Sequence, residues 1–218
     1  MHKKGFIFDL DGVIVDTAKY HYLAWKNLAN SLGFDFTETQ NEQFKGVSRV
    51  RSLEILLALG NRTATQEEKN AWLLQKNEEY LEYISSMDAQ EILPDVPRVL
   101  DYLKVKQQAI ALGSASKNAR PILEKIKLIS QFHAIVDGND VTTAKPDPEV
   151  FLKGATALAV APEQCIVFED SIAGVQAANT AGMISIGIGD ATVLHEAAYI
   201  FSDFTEISNE FLMKLITN

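Results

Sequence analysis

Two aspartates, Asp9 and Asp11, stand one residue apart near the start of the sequence. Residues i and i+2 of an extended chain point to the same side, so both carboxylates can act on one small volume. Their mutual repulsion would raise one pKa unless a divalent cation or a retained proton relieves it. Aspartate can also be the covalent nucleophile of a phosphoryl transfer. The pair therefore indicates metal-assisted phosphoryl chemistry.

The residues around the pair strengthen this interpretation. An isolated Asp-x-Asp sequence more often forms a solvated turn or caps a helix. Here the apolar residues 5–8 predict a buried strand directly before it. Gly12 permits a sharp turn that brings backbone N–H groups near a ligand, and Asp16 and Thr17 predict a helix start. This context favours a site at the carboxyl end of a strand.

The apolar residues 109–113 predict a second strand, and small and polar residues follow it: Ser114, Ala115, Ser116, Lys117 and Asn118. Small side chains leave the backbone accessible, while hydroxyls beside a helix N-terminus favour an anion. An ordinary helix cap of Ser and Asn would explain this run about equally well.

Two further candidate segments lie in the second half of the chain. Lys145 is in a loop stiffened by two prolines. A loop lysine is usually solvated, but so rigid a frame is unusual for a lysine without a role. Glu169 and Asp170 come at the end of the strand predicted at 165–169. Adjacent acids at a strand end suit a hard cation such as Mg²⁺, which takes oxygen ligands.

The order of predicted elements indicates the fold class. From about residue 92, helices and strands alternate, with strands at 109–113, 134–137, 165–169 and 184–188 and helices at 95–106, 118–127, 149–158 and 171–181. Such alternation predicts an α/β fold with a Rossmann-like parallel sheet covered on both faces. Ligands of open α/β sheets bind beyond the carboxyl ends of the strands. The four motifs all fall at that edge, and their convergence is stronger support than any single motif.

The residues between the first and second strands contain no convincing strand. Helical periodicity recurs in three stretches, at 20–32, 53–59 and 67–84. We predict a core catalytic domain of residues 1–16 and 89–218 and an inserted helical cap domain of residues 17–88. A helical cap over the site would exclude water from a reactive aspartyl phosphate.

Composition limits the classes of partner. The 218 residues carry a formal net charge of −9, which argues against nucleic acid or an anionic membrane as a partner. An anionic substrate must then meet a local basic cluster, for which the candidates are Arg49, Lys76, Lys117 and Lys145. The single cysteine excludes an intramolecular disulfide and fits a reducing compartment. No segment has the ~20 apolar residues that span a bilayer. We expect a cytoplasmic monomer that acts on a small molecule.

The four motifs, in this order, resemble those of the haloacid dehalogenase superfamily of phosphoryl-transfer enzymes. The resemblance covers the whole chain. In the cap region the sequence is similar to the β-phosphoglucomutase family at Thr17, His21, Trp25, Gly46, Val47, Ser48, Arg49 and Lys76. The core motifs specify the superfamily, while the residues between 17 and 77 carry the narrower assignment.

The resemblance implies a role for each core residue. Asp9 would attack the phosphoryl group, and Asp11 would be general acid and base on the sugar oxygen. Ser114 and Lys145 would stabilise the transferring group. Mg²⁺ would be the cofactor, with these ligands: Asp9, the backbone carbonyl of Asp11, Asp170 and, directly or through water, Glu169.

The resemblance also implies a substrate, a small sugar phosphate. β-D-Glucose 1-phosphate would become β-D-glucose 6-phosphate through β-glucose 1,6-bisphosphate. The sugar must turn over between the two half-reactions, so a second phosphate site is needed, with candidates Arg49, Ser116, Lys117 and Asn118. A magnesium-dependent sugar-phosphate phosphatase with the same core is the alternative. A non-catalytic phosphate-binding module is a third possibility, which the clustered acids argue against.

Taken one at a time, the cap residues have ordinary explanations. Trp25 is more readily a core residue of the cap than a ligand contact, and His21 fits a partly buried structural histidine equally well. A lone Arg49 would by default form a surface salt bridge, and Lys76 would lie on a solvated helix face. The resemblance shifts these residues toward substrate binding, and with His21 they favour the mutase.

Overall fold

The structure is a computed structural model that describes residues 3–217. Within these residues six strands form one sheet in the order β3-β2-β1-β4-β5-β6, and every pairing is parallel. The strands are β1 Gly5–Phe8, β2 Ala109–Gly113, β3 Ala134–Val136, β4 Cys165–Glu169, β5 Ile184–Ile188 and β6 Tyr199–Phe201. The predicted α/β fold with a parallel sheet is confirmed.

Nine helices accompany the sheet within residues 3–217. They are α1 Ala18–Ser31, α2 Glu38–Asn41, α3 Arg49–Leu59, α4 Gln66–Tyr83, α5 Val96–Val105, α6 Ala119–Lys125, α7 Glu149–Leu158, α8 Ile172–Thr180 and α9 Asn209–Thr217. The elements β6, α2 and α9 were not predicted. None of these helices is long and apolar enough to cross a membrane.

The central strands are buried on both faces because helices cover both sides of the sheet. Phe8 of β1 stacks on Phe168 of β4, with ring centroids 4.5 Å apart, within a cluster that includes residues of α5, α6 and α9. On the other face Ile7 packs with Phe151 of α7. Burying each such side chain stabilises the fold by about 1.5–3 kcal/mol. The packing fixes β1 and β4 side by side, and with them the acids at their ends.

The helices α1 to α4 have a small core of their own, which includes Trp25, Leu28, Phe36, Phe44 and Leu56. The chain passes between this helical region and the sheet twice. At these crossings the Asp16 N–H donates to the Glu91 carbonyl at 3.1 Å, and the Leu93 N–H donates to the Ile14 carbonyl at 3.0 Å.

We keep the name cap for residues 17–88. The division at residues 16 and 89 stays a prediction, and the ends of the predicted core domain, residues 1, 2 and 218, lie outside the described part of the chain.

Local signals start the two cap helices that matter most for the site. Ser48 caps α3, because its Oγ accepts a hydrogen bond from the Arg51 N–H at 3.3 Å. The helix predicted at 53–59 therefore begins earlier, at Arg49. Thr65 and Glu68 form a capping box at the start of α4. The 18 residues of α4 make about five turns, and Lys76 lies near the middle of this helix, where it lines the cavity.

Candidate active site

The sheet order brings the predicted motifs together. Since β1 lies between β2 and β4, the residues after these three strands emerge side by side, namely Asp9, Ser114 and Asp170. The strand order reverses direction at β1 and β4, which is where open α/β sheets bind ligands. Asp9 is held at this edge by its own N–H, which donates to the Phe168 carbonyl at 3.0 Å.

Lys145 lies between two carboxylates. Its Nζ donates to Asp9 Oδ1 at 2.7 Å and to Glu169 Oε1 at 2.5 Å. The other oxygen of Glu169 accepts from the N–H and the Oγ of Ser171, each at 2.8 Å. Glu169 is fully buried and both its oxygens are satisfied. It therefore fixes the lysine against Asp9.

The electrostatics keep Lys145 charged. Burial alone would lower the pKa of this lysine, but the Asp9 and Glu169 carboxylates raise it above its ordinary value. An ammonium group at this position can face a phosphoryl oxygen as well as Asp9. The role of Lys145 in stabilising a transferring phosphoryl group stays a prediction.

The acids at the strand ends are too many for one lysine to neutralise. Burial, with the Glu169 and Asp11 charges, raises the pKa of Asp9 to about 7 although Lys145 lowers it. Burial and the Glu169 and Asp9 charges also hold the pKa of Asp170 well above its usual range. A divalent cation would relieve this repulsion, and oxygen donors of this kind suit Mg²⁺.

Gly12 allows the acidic cluster to form. Its φ is +76°, and a Cβ there would overlap the Asp170 carboxylate. Among residues 3–217, no three His, Cys, Asp or Glu side chains are grouped to hold a metal by themselves. A Mg²⁺ site would thus combine the Asp9 and Asp170 carboxylates with the Asp11 carbonyl and water, as the resemblance implies. Glu169, with both oxygens occupied, fits the water-mediated alternative.

The Asp11 carboxylate is directed toward the cap. It accepts a hydrogen bond from Thr17 Oγ1, and its Oδ1 lies 3.7 Å from His21 Nε2. Burial would raise the pKa of Asp11, but these His21 and Thr17 contacts hold it below its ordinary value. Asp11 can therefore be ionised near neutral pH and accept a proton.

His21 connects Asp11 to the second cap helix. Its Nδ1 lies 2.8 Å from Lys76 Nζ. When Lys76 is protonated it can only donate, so His21 Nδ1 then accepts and Nε2 carries the proton toward Asp11. Burial and the Lys76 charge lower the pKa of His21. A series of contacts thus runs from Asp11 of the core through the neutral imidazole of His21 to Lys76 of the cap.

Lys76 is buried, not solvated. Only 1% of its surface is exposed, and burial together with Arg49 lowers its pKa to about 7. Its Nζ lies 4.9 Å from the centre of the Trp25 ring. The default explanation of a solvated helix face is wrong for this residue.

Arg49 is the first residue of α3, after the loop of Gly46, Val47 and Ser48. Among residues 3–217 it forms no ion pair, so the default surface salt bridge is not seen. Burial lowers its pKa. A guanidinium beside a helix N-terminus, with no carboxylate partner, suits a phosphate.

The loop after β2 is held by its own hydroxyls. Ser114 Oγ accepts from the Ser116 N–H at 3.1 Å, and Ser116 Oγ accepts from the Asn118 N–H at 3.2 Å. The amide of Asn118 reaches across to the cap and donates to Asn77 Oδ1 at 3.1 Å. These hydrogen bonds hold the loop, and Asn118 joins it to the cap at a point separate from the two chain crossings.

The core and the cap enclose a cavity of about 470 Å³. Fifteen of the predicted residues line it: Asp9, Asp11, His21, Trp25, Gly46, Val47, Ser48, Arg49, Lys76, Ser114, Ala115, Ser116, Lys117, Lys145 and Asp170. Three do not, namely Thr17, Asn118 and Glu169. Each lies behind the cavity wall and bonds to a residue of the site or, for Asn118, to the cap.

Trp25 is a core residue of the cap that also faces the cavity. It belongs to the cap core, where its ring meets Phe44 edge to face with centroids 5.6 Å apart. It also forms part of the cavity wall.

Sequence reasoning missed several lining residues, including Asn41, Phe44, Lys45, Ser52, Thr142, Thr143 and Ala144. Three of these directly precede Lys145 in its loop, and Lys45 precedes the Gly46 loop, so nearness to a motif was the available signal. Asn41 and Ser52 carry no such signal, because ordinary polar residues in helices have many uses.

Known proteins are similar to this chain over nearly its full length. A model of haloacid dehalogenase-like hydrolases matches residues 3–182. The β-phosphoglucomutase of Bacillus subtilis is 40% identical over 211 residues, which are 96% of this chain and 93% of that protein. A phosphorylated carbohydrates phosphatase of Thermotoga maritima is 32% identical and covers 89% of this chain and 91% of its own.

The structural comparison agrees with the sequence comparison. The crystal structure of β-phosphoglucomutase from Clostridium difficile matches with a TM-score of 0.94 and 38% identity, over 98% of this chain and 97% of that one. The resemblance drawn from the motifs is confirmed. The chain belongs to the haloacid dehalogenase-like hydrolase family.

Proposed function

We propose that the protein is a β-phosphoglucomutase, which interconverts β-D-glucose 1-phosphate and β-D-glucose 6-phosphate. The observation that carries this proposal is that side chains suited to phosphate lie on two sides of one cavity. Lys145 and Ser114 lie beside Asp9, and Arg49 lies on the cap side. Similarity to β-phosphoglucomutases over nearly the whole chain supports it.

Asp9 is the proposed nucleophile. Its free carboxylate oxygen attacks the phosphorus of the substrate in line, a new O–P bond forms, and the bond from phosphorus to the sugar oxygen breaks. Lys145 and Ser114 stabilise the negative oxygens of the transferring group. The product of this step is an aspartyl phosphate on Asp9.

Asp11 is the proposed general acid and base. When the sugar oxygen leaves phosphorus, Asp11 gives it a proton, and in the reverse direction Asp11 removes the proton from an attacking sugar hydroxyl. His21, with its Nε2 proton directed at Asp11, can hold the carboxylate in the position where both transfers occur.

Mg²⁺ is the proposed cofactor, held by Asp9, Asp170 and the Asp11 carbonyl, with Glu169 acting through water. When bound, it offsets the negative charge of the nucleophile and of the phosphoryl oxygens. The surplus of buried carboxylates at the strand ends supports this assignment.

A mutase must hold one phosphate while it transfers the other. The phosphorylated enzyme gives its phosphoryl group to the 6-hydroxyl of β-glucose 1-phosphate, and β-glucose 1,6-bisphosphate forms. The sugar then turns over, and its 1-phosphate moves to Asp9. Arg49, with Ser116, Lys117 and Asn118, is the proposed second site, although Asn118 contributes from behind the cavity wall.

A sugar-phosphate phosphatase is the second candidate, because a phosphatase of phosphorylated carbohydrates is 32% identical to this chain. The same Asp9 chemistry serves both activities. They differ in what attacks the aspartyl phosphate, which is a sugar hydroxyl in the mutase and water in the phosphatase. Contacts between cap and core, such as Asn77 with Asn118, favour the exclusion of water and thus the mutase.

Product analysis separates the two candidates. The purified protein is incubated with Mg²⁺, β-glucose 1-phosphate and a trace of β-glucose 1,6-bisphosphate, and glucose 6-phosphate and inorganic phosphate are measured together. A mutase produces glucose 6-phosphate with little phosphate. Release of phosphate in equal amount to the substrate consumed would establish the phosphatase instead.

We also propose that the protein works in the cytoplasm as a monomer, with a small sugar phosphate as its partner and without nucleic acid or membrane. The net charge of −9 and the single cysteine support this proposal.

A further inference from the structure

Tyr80 is a buried tyrosine behind the site, with no part in the proposed chemistry. It lies on α4 four residues after Lys76, so both side chains share one face of the helix. Its exposed fraction is 0%, and it does not line the cavity. Any influence on the reaction must therefore pass through its neighbours.

The ring of Tyr80 stacks on His21. The ring centroids are 4.1 Å apart and the planes differ by 17°. His21 must keep one plane to meet Lys76 with Nδ1 and Asp11 with Nε2 at the same time. Rotation of the imidazole would break both contacts. A flat, rigid partner against its face opposes this rotation.

The same ring also faces Lys76, whose Nζ lies 4.7 Å from its centre. Among residues 3–217 Lys76 forms no ion pair with a carboxylate. The faces of Tyr80 and Trp25 therefore favour the charged form of Lys76, which burial disfavours. One aromatic ring thus supports both members of the His21–Lys76 pair.

The hydroxyl of Tyr80 is buried and forms no hydrogen bond of ordinary geometry within the described residues, although Thr17 lies beside it. Removal of an unpaired buried polar group is neutral or stabilising. The ring, and not the hydroxyl, is then the part of Tyr80 that matters to its neighbours. This separation provides a conservative variant for a test.

We propose that Tyr80 is a positioning residue whose aromatic ring holds His21 in the plane from which it orients Asp11. The proposal rests on the proposed function only in taking Asp11 as the acid and base for a sugar oxygen. It predicts that Tyr80 affects the steps in which the sugar oxygen gains or loses a proton and has no effect on the other steps.

The test compares three variants. Tyr80→Phe keeps the ring and removes the hydroxyl, and Tyr80→Leu removes the ring. Tyr80→Met fills the space with a flexible chain if the leucine variant does not fold. Tyr83→Leu on the same helix is the matched control, because Tyr83 bonds to Asn27 and is not part of the cavity wall.

Three quantities are measured for each variant. They are kcat and KM with β-glucose 1-phosphate, the rate of Asp9 phosphorylation by acetyl phosphate, and the NMR shifts of the His21 ring protons. Acetyl phosphate has a good leaving group that needs no proton from Asp11. A stacked tyrosine shifts the His21 protons upfield, so this signal reports the contact directly.

We expect Tyr80→Leu or Tyr80→Met to lower kcat about ten- to a hundredfold, a part of what acid–base catalysis contributes. KM and the acetyl phosphate reaction should change less than about twofold, and the upfield shift should be lost. Tyr80→Phe and Tyr83→Leu should behave as the unaltered protein.

The proposal is overturned if a folded variant without the ring keeps its kcat, if Tyr80→Phe loses as much as Tyr80→Leu, or if acetyl phosphate reacts equally slowly. Failure of the mutase proposal is a separate result. It appears as inorganic phosphate released by the unaltered protein, and the same variants then test Tyr80 on that hydrolysis.

Discussion

At the scale of single residues, Lys145 shows how one side chain can organise a reaction centre. Its ammonium group contacts Asp9 and Glu169 at 2.7 and 2.5 Å, and Ser171 satisfies the far side of Glu169. The lysine cannot turn away from Asp9 without leaving a buried carboxylate unpaired, which is costly. Asp9 is thus presented to the cavity with one oxygen bound and the other free to attack.

The first prediction concerns that free oxygen. Asp9→Asn keeps the shape of the side chain but replaces the nucleophilic carboxylate by an amide. We expect the fold to be retained and phosphorylation of the protein to disappear, because a neutral amide is a far weaker nucleophile than a carboxylate. Mass spectrometry after incubation with acetyl phosphate and Mg²⁺ detects the phosphoryl group, and circular dichroism checks the fold. Near-normal turnover by the folded variant would rule out Asp9 as the nucleophile.

The second prediction concerns Arg49. If it binds the phosphate that is not being transferred, Arg49→Ala loses a charge-assisted hydrogen bond worth about 1.5–3 kcal/mol, or about ten- to a hundredfold in binding. We expect this loss for β-glucose 1-phosphate and for the bisphosphate. Phosphorylation by acetyl phosphate should be preserved, because that donor has no second phosphate.

Arg51 provides the control for this experiment. It lies on the same helix, is exposed, and forms an ion pair with Glu54 at 2.8 Å. Arg51→Ala also removes one positive charge from the cap, so it separates a general loss of charge from a specific contact. Equal damage from both variants, or equal damage to both donors, would remove Arg49 from the second phosphate site.

At the scale of elements, the loop before α3 brings the cap onto the sheet. Gly46 has a φ of +71°, and a Cβ at this residue would overlap Ser171 Oγ, which belongs to the core. Ser171 in turn bonds to Glu169 and caps α8 through the Gly174 N–H. The loop before α3 therefore contacts Ser171, which bonds to Glu169, the partner of Lys145. This close approach is possible because Gly46 has no side chain.

The third prediction follows from this close approach. In Gly46→Ala the new methyl group should hold the loop away from Ser171, so that water reaches the aspartyl phosphate. We expect mutase turnover to fall and the ratio of released phosphate to glucose 6-phosphate to rise. Both products are measured in the same assay.

Gly182 is the matched control for backbone strain. Its φ is +72°, yet a Cβ there would meet nothing within 4 Å. Both alanine variants carry the cost of a left-handed backbone, about 1–2 kcal/mol, and both should lower the melting temperature. Only Gly46→Ala should change the product ratio. The same change in Gly182→Ala would attribute the effect to lost stability instead.

At the scale of the whole molecule, the acidic cluster links stability to pH and, if the proposed Mg²⁺ binds there, to the cofactor as well. The pKa of Asp9 is raised to about 7 and that of Asp170 is also raised. The folded protein therefore retains protons that the unfolded chain has already lost. In metal-free protein these two groups destabilise the fold as the pH rises from their ordinary values toward about 7. Bound Mg²⁺ would replace those protons.

The fourth prediction uses this competition. We expect Mg²⁺ to raise the melting temperature, and the increase over protein in EDTA should become larger as the pH rises from about 5 to about 8. Activity should disappear in EDTA. Asp170→Ala, which removes one proposed ligand, should abolish the Mg²⁺-dependent increase at every pH. An increase that is constant or becomes smaller with pH would contradict the assignment of the metal to these carboxylates.

Local pattern in the sequence was enough to predict the first five strands and the core motifs. An apolar run followed by acids, as at residues 5–11 and 165–170, predicts a buried strand with candidate site residues at its carboxyl end. Both signals lie within a few neighbouring residues, so they are visible in the sequence alone. The strand of residues 199–201 and the helix of residues 209–217 were missed. The strand is only three residues long, so its pattern is too brief to distinguish it from a loop.

The sequence by itself determined which residues meet at the sheet edge, since strand order along the chain and a parallel sheet place the motifs together. Only the tertiary structure decided which partner each side chain takes. It buried Lys76 against His21, 55 residues away, and placed Lys145 against Asp9, 136 residues away. It also placed the carboxylate of Glu169 against Lys145 instead of in the cavity wall. Hydrogen bonds of this kind depend on distances in space between remote segments, and no local pattern of residues encodes those distances.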